Sequence, residues 1–400
     1  MAQQATTATA NGPIYGGANN GTLTGLGTAD QRRALYLKLF SGEMFKGFQH
    51  NTIARDLVTR RTLTNGRSLQ FIYTGRTKAE FHVPGQSILG NDEKTPPVAE
   101  KTIECDDLLI SSAFVYELDE TLAHYDLRGE ISRKIGYALA ENYDRRIFRA
   151  ITKAARQPSP VSMSGFVEPG GSVVKVGAAA STTAADAYNA GHLVNAFYGA
   201  AAILDEKGVS GEGRVAVLNP RQYYALIQDV TNNGLINRDV QGTALQSGNG
   251  IIEIAGITIY KSMNIPFFGK FGTKTDMNPR ASNDNEGSFV GEAMGDQDSK
   301  LTPSNSNTQK TINNYGTAAK FANSCGLIFQ KEACGVVEAI GPQVQVTSGD
   351  ISVVYQGDVI LGRLAMGANF LNPAAAVELV AGIDVSSNFN NTAVSNASFT

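Results

Sequence analysis

Between Asp126 and Gln157, apolar residues recur at spacings of three and four: Leu127, Ile131, Ile135, Leu139, Tyr143, Ile147, Ile151 and Ala154. That period predicts a long amphipathic helix over 126–157, stopped by Pro158. Its other face carries Arg128, Arg133, Lys134, Arg145, Arg146, Arg149, Lys153 and Arg156. Such a stripe is ordinarily a solvated helix face rather than a nucleic-acid contact. From Leu63 to Leu109 the pattern shifts to short β-like runs, Leu69–Tyr73 and Ala79–Val83, followed by Pro84-Gly85 and the charged Asn91-Asp92-Glu93-Lys94. This predicts a long hairpin with a polar tip. Two strands without a packed face are marginal in water, so the hairpin needs another surface to lie on.

After a Gly/Ser/Val turn region, Thr183–Lys207 reads as an Ala-rich helix closed by Gly208. Arg214–Leu218 is a buried-type strand, and Asn219-Pro220 opens a helix with proline at its first position. Ile251–Tyr260 predicts two strands broken at Gly256, and 325–329, 343–346 and 351–361 add further β segments. Residues 268–318, rich in Gly, Asn, Ser and Thr, read as a long surface insertion. Residues 1–27 hold few large apolar groups and read as an arm that orders only on a partner. Thr28-Ala29-Asp30-Gln31 then has the form of a capping box. The fold class is mixed α+β.

Composition narrows the function. At 400 residues with 42% hydrophobic content the chain is long enough for two or three packed units. The 34 basic and 37 acidic residues give a formal charge of -3, so no global basic field holds nucleic acid. The apolar stretch 359–380 is broken by Arg363, Asn369, Asn372 and Pro373 and does not read as a membrane span. Nor does the N-terminus read as a signal peptide, and Cys105, Cys325 and Cys334 suit a reduced compartment.

Chemistry is hard to find. His50, His82, His124 and His192 never fall at metal-pair spacing, and Gly25-Leu26-Gly27 follows no strand. No phosphate loop and no nucleophile elbow occurs. Asp106-Asp107 and the acidic group at 117–120 read as capping or solvated carboxylates. No catalytic residue, cofactor site or metal site is assigned.

The order of elements (arm, projecting hairpin, long helix, α/β unit, returning strands) resembles the Hong Kong 97 fold of tailed-phage capsid proteins. More narrowly, Gly66–Phe71, Gly75-Arg76-Thr77, Pro84-Gly85, His124–Arg128, Ala365-Met366-Gly367 and Asn372–Ala376 resemble stretches of the major capsid proteins of short-tailed phages (podoviruses) with single-subunit RNA polymerases. The likeness covers about residues 30–380. It implies an N-arm at 1–60, an E-loop at 61–104, a P domain at 105–210 and 342–380 with spine helix 126–157, an A domain at 211–341 including the insertion 268–318, and a tail at 381–400.

The function implied is self-assembly into hexamers and pentamers that tile an icosahedral head around double-stranded DNA, in a virion built in the bacterial cytoplasm. Implied partners are other copies, a scaffolding protein, a portal at one vertex, a decoration protein, and DNA by diffuse contact, with no membrane. Within that frame Asn91, Asp92, Glu93 and Lys94 are expected to set register against the next subunit. Arg145, Arg146, Arg149 and Lys153 are expected to face the inner wall, toward DNA or scaffold. An encapsulin-like nanocompartment shell, which shares the fold, and an α/β enzyme, suggested by 211–266, are the alternatives.

Overall fold

The computed structural model describes residues 53–77, 79, 81–85, 96, 98–106, 108–117, 127–160, 162–163, 166–178, 181, 184–228, 252–266, 313, 315, 321, 323–346 and 356–382. In chain order the elements are α1 (Ala54–Leu57), β1 (Thr59–Thr62), β2 (Ser68–Thr74), β3 (Val98–Glu104), β4 (Leu109–Tyr116), α2 (Leu127–Ala155), β5 (Ser162–Met163), β6 (Phe166–Val167), β7 (Ser172–Lys175), α3 (Ala190–Glu206), β8 (Arg214–Leu218), α4 (Pro220–Gln228), β9 (Ile252–Ile254), β10 (Ile257–Lys261), β11 (Ser324–Gln330), β12 (Cys334–Val346), β13 (Gly357–Phe370) and β14 (Ala376–Val380). The chain divides into two compact units. The described parts of 108–142 and 340–365 form one, and those of 52–107, 143–339 and 366–400 form the other.

In the first unit β13 pairs antiparallel with β4, from Gly357 opposite Tyr116 to Leu364 opposite Leu109. The early turns of α2 lay Ile135 and Leu139 onto this sheet. Gly362 is the contact point: a Cβ there would strike Ile135 and come within 2.9 Å of Leu139, so only glycine lets helix and strand approach this closely. Arg128 of the helix pairs with Asp358 of β13 at 2.9 Å.

In the second unit a six-stranded sheet runs β7-β14-β11-β8-β10-β9. β8 and β10 are parallel, as are β14 and β7, and β11 lies antiparallel between β14 and β8. β8 and β14 are buried along their whole length, as central strands covered on both faces should be, and so is β7 although it lies at the edge of the sheet. α3 packs on β7 and α4 on β10. α4 begins with a reciprocal capping box: Asn219 Oδ1 accepts from the Arg221 N–H, and Gln222 Oε1 accepts from the Asn219 N–H, both at 3.1 Å. β9 and β10 are joined by Ala255-Gly256, both at positive φ (53° and 72°), which is the primed turn a two-residue hairpin loop requires. The second unit also holds a separate ribbon, β2 paired antiparallel with β3, and the parallel pairing of β1 with the start of β12.

Several sequence expectations change. The spine helix spans 127–155, two residues inside its expected end. The Ala-rich helix starts only at Ala190, because Asn189 caps it through the His192 N–H at 3.3 Å; a short 3-10 turn precedes it. The expected hairpin over 63–109 is present, with β2 paired to 98–104; of the β-like run at 79–83, the described residues 79 and 81–83 are not in a strand, and Phe81 stands fully exposed. One sheet runs across the expected boundary at 210/211: β14, placed in the expected P domain, pairs in register with β11, placed in the expected A domain. Backbone pairing between segments 50 to 200 residues apart leaves no mark in composition.

Candidate functional site

The hairpin body comes first among the sequence candidates. β2 and β3 pair from Ser68 opposite Glu104 to Thr74 opposite Val98. Alternate residues of β2 are exposed, so one face of this ribbon is uncovered. At its outer end that exposure turns apolar: Ile72 is 75% exposed, Val98 63%, Val83 54% and Phe81 completely. The tip residues Asn91, Asp92, Glu93 and Lys94 lie outside the described residues.

The basic stripe is the second candidate, and here the expectation is corrected. Arg145, Arg146 and Arg149 are only 8%, 4% and 2% exposed, and Arg156 is buried as well. From Tyr143 to Thr152 every residue of α2 is buried. Periodicity identified the apolar face correctly, but this half of the helix is enclosed on its other face too. Its guanidiniums are therefore internal groups and not an inner-wall surface. Arg146 sits 3.8 Å from the Asp106 carboxylate and 5.7 Å from the Tyr315 ring centre. Arg149 lies over Phe321 at 4.8 Å. Arg156 makes the tightest pairing, a two-pronged contact with Glu378 at 2.6 Å on each arm, with Ser324 Oγ at 3.3 Å. Lys153 is half-buried near Phe370, whose ring also receives Lys101 at 3.7 Å. Burial, with the charge of Lys101 added, brings the Lys153 amine down to about 8.

Two further polar clusters were not singled out in the sequence. At the root of the arm, Asp144 accepts the N–H groups of Ile53 (3.0 Å) and Ala54 (3.2 Å) and the side-chain amide of Asn264 (3.4 Å). Beside it Glu338 accepts from Arg55 at 3.3 and 3.1 Å and from the Tyr143 hydroxyl at 2.6 Å, with Arg60 at 3.7 Å. Burial alone would raise the Glu338 carboxyl, but the Arg55 and Tyr143 hydrogen bonds and the arginine charges outweigh it and hold it below the usual range. At the root of the insertion, Asp106 accepts from the Asn313 N–H (3.1 Å), the Asn313 amide (3.0 Å) and the Tyr315 hydroxyl (2.6 Å), and that hydroxyl accepts from the Ala368 N–H (3.0 Å). These clusters join residues up to 283 apart, so no local pattern announces them. Asp106 alone had drawn attention, as a capping or solvated carboxylate. It is neither.

The arrangement offers anchoring and no reactive constellation. Among the described residues no three His, Cys, Asp or Glu side chains gather to hold a metal ion. The three cysteines are buried, and burial pushes the thiols of Cys325 and Cys334 far up. No helix among the described residues is long and apolar enough to cross a membrane. Among the described residues the buried charged groups balance: Arg145, Arg146, Arg149, Arg156, Lys175 and Arg214 against Asp106, Glu130, Asp144, Glu168, Glu338 and Glu378.

Comparison with known proteins bears on the whole chain. Residues 70–294, more than half of it, match the family model described as Gp10A-like: Major capsid protein. The major capsid protein of Enterobacteria phage T3 is 25% identical over 373 residues, covering 92% of this chain and 97% of the relative. That of Escherichia phage T7 is 32% identical over 142 residues, 34% of this chain and 40% of the relative. Among solved structures, the capsid of cyanophage P-SCSP1u superposes with a TM-score of 0.65 at 30% identity, over 91% of this chain and 97% of that one. The mature capsid of bacteriophage PhiM1, at 15% identity and a TM-score of 0.57 over 90% of this chain and 94% of that one, shares the fold.

Proposed function

From the premise that the chain belongs to the Gp10A-like major capsid protein family, we propose that its shell is closed by each copy laying its hairpin on a neighbour. The protein is the coat subunit of a phage head, with a Hong Kong 97-like fold. The observation that carries the proposal is the uncovered apolar end of the β2–β3 ribbon: Ile72, Phe81, Val83 and Val98. Burying such side chains stabilises by about 1.5–3 kcal/mol each. Four of them supply roughly 6–12 kcal/mol per hairpin before ordering costs, enough to matter once multiplied around a ring. Asn91, Asp92, Glu93 and Lys94 then set register, mixed charges discriminating between alignments more than they tighten them.

Head-to-tail contacts of this kind close into hexamers and pentamers. The arm at 1–60 takes its partner from another copy. A scaffolding protein during assembly, a portal at one vertex and an external decoration protein complete the particle, which is built in the host cytoplasm. The chain is a structural element without catalysis. DNA meets the inner wall diffusely, and the buried Arg145, Arg146 and Arg149 take no part in that meeting.

The test is the double substitution Ile72→Asp with Val98→Asp, followed by sedimentation and negative-stain microscopy of the expressed chain with scaffold. Folded subunits with native circular dichroism and no shells are expected. Shells of normal size and yield would overturn the proposal.

A further inference from the structure

Among the described residues, the outer end of the hairpin is tied to its own subunit through Arg76. Arg76, two residues past the end of β2, gives its backbone N–H to Glu168 Oε1, and its Nε lies 3.6 Å from Glu168 Oε2. One arm of the same guanidinium donates to the Lys207 carbonyl, at the C-terminal end of α3. Glu168 is almost completely buried, and the Tyr73 hydroxyl hydrogen-bonds it as well. Donors to a buried carboxylate have no water to replace them, so removing them is costly in a way that an exposed pair would not be.

The surroundings fit this contact. Gly208 has φ +70°, and a Cβ there would lie 3.1 Å from the Arg76 guanidinium, so the helix ends in the residue that allows the cation over its last turn. A cation at that end also meets the negative pole of the helix. The Lys207 ammonium is held by the Gly170 carbonyl, 2.6 Å away, while Arg76 pairs with the acid.

We infer that Arg76, Glu168 and the C-terminus of α3 form a strut that fixes the angle at which the hairpin is presented to the next subunit. This rests on the reading that the hairpin carries the contact between copies, and it adds how that contact is pre-aligned. A ribbon of two strands is marginal by itself. Held at its root by the neighbouring backbone and at its outer end by Arg76, it meets a partner already ordered, and association loses less freedom.

The experiment uses full-length free subunits of Arg76→Ala and Arg76→Lys, with two readouts. Hydrogen exchange of segments 68–76 and 98–104 reports the strut in the isolated subunit. The threshold concentration for shell formation, with particle size by microscopy, reports its consequence. Arg76→Ala is expected to speed exchange in both strands, leave that of β8 and β14 unchanged, and raise the threshold about tenfold with more misshapen particles. Both variants keep the backbone N–H to Glu168; Arg76→Lys, which also keeps the charge but loses the planar fork, is expected to fall between. Unchanged exchange in Arg76→Ala would overturn the strut itself. Faster exchange with an unchanged threshold would overturn the underlying reading that hairpins carry the contact. A lowered threshold would also overturn the inference, because the contact would then be restraining assembly instead of preparing it.

Discussion

The six-stranded sheet and the β2–β3 ribbon are made from similar residues and end in opposite situations. β14, Ala376–Val380, is buried at every position, including Glu378, whose charge Arg156 satisfies inside the chain. β2 alternates exposed with half-buried residues, and its most apolar outward residue, Ile72, is left bare. The sheet finishes its own burial within one polypeptide. The ribbon leaves one face uncovered, the face proposed to meet another copy. Stability of the subunit and completion of the shell are therefore stored in different places, and substitutions should separate them.

The largest effect on the isolated subunit is expected at Arg156→Ala. Glu378 would remain buried without its two-pronged partner, at a cost of about 3–5 kcal/mol in denaturant unfolding. A loss below about 1 kcal/mol would show that the sheet does not depend on this pair. Next comes Tyr143→Phe, which deletes one hydrogen bond to the charged Glu338 and should cost about 1–2 kcal/mol at neutral pH.

Glu338 also gives this site an acid dependence. Its folded carboxyl titrates below the ordinary value of 4.5, so its contribution is complete above that pH and disappears as the pH falls through the folded pKa. Tyr143→Phe weakens the depression, and acid unfolding followed by circular dichroism should begin at higher pH than in the parent chain.

A smaller effect is expected at Lys153. Its amine is lowered from 10.5 to about 8 in the folded chain, so the unfolded chain binds more protons between those values and stability rises with pH across that window. Lys207 shares the same shift. Lys153→Met should thus shrink that rise without abolishing it, and equal slopes would count against the buried environment. Smallest of all is Ile72→Ser in the ribbon, within about 0.5 kcal/mol for the subunit, while the yield of shells falls. A clear loss of subunit stability there would erase the contrast between sheet and ribbon.

Local chemistry made much of the architecture readable. The spine helix, the proline-led helix at 220, the break at Gly256 and the strand at 214–218 all follow from periods, caps and turn residues that act over a few positions. The resemblance carried in Gly75-Arg76-Thr77 and Asn372–Ala376 led to the right family. What stayed hidden depends on distant segments. Arg146 and Arg149 carry the same spacing as a solvated stripe, and only the arrival of Asp106, Tyr315 and Phe321 from elsewhere in the chain makes them internal. The hairpin over 63–109 was legible, but the register of 68–74 against 98–104 was not, because alternation identifies a strand without naming its partner.

The equal numbers of opposite buried charges among the described residues have a practical consequence. Counterions reach exposed groups and screen them, but barely reach enclosed pairs such as Arg156 with Glu378. Ionic strength therefore becomes a selective handle: a dialysis series from dilute to concentrated buffer should retune how copies adhere while leaving each molecule's own melting almost untouched.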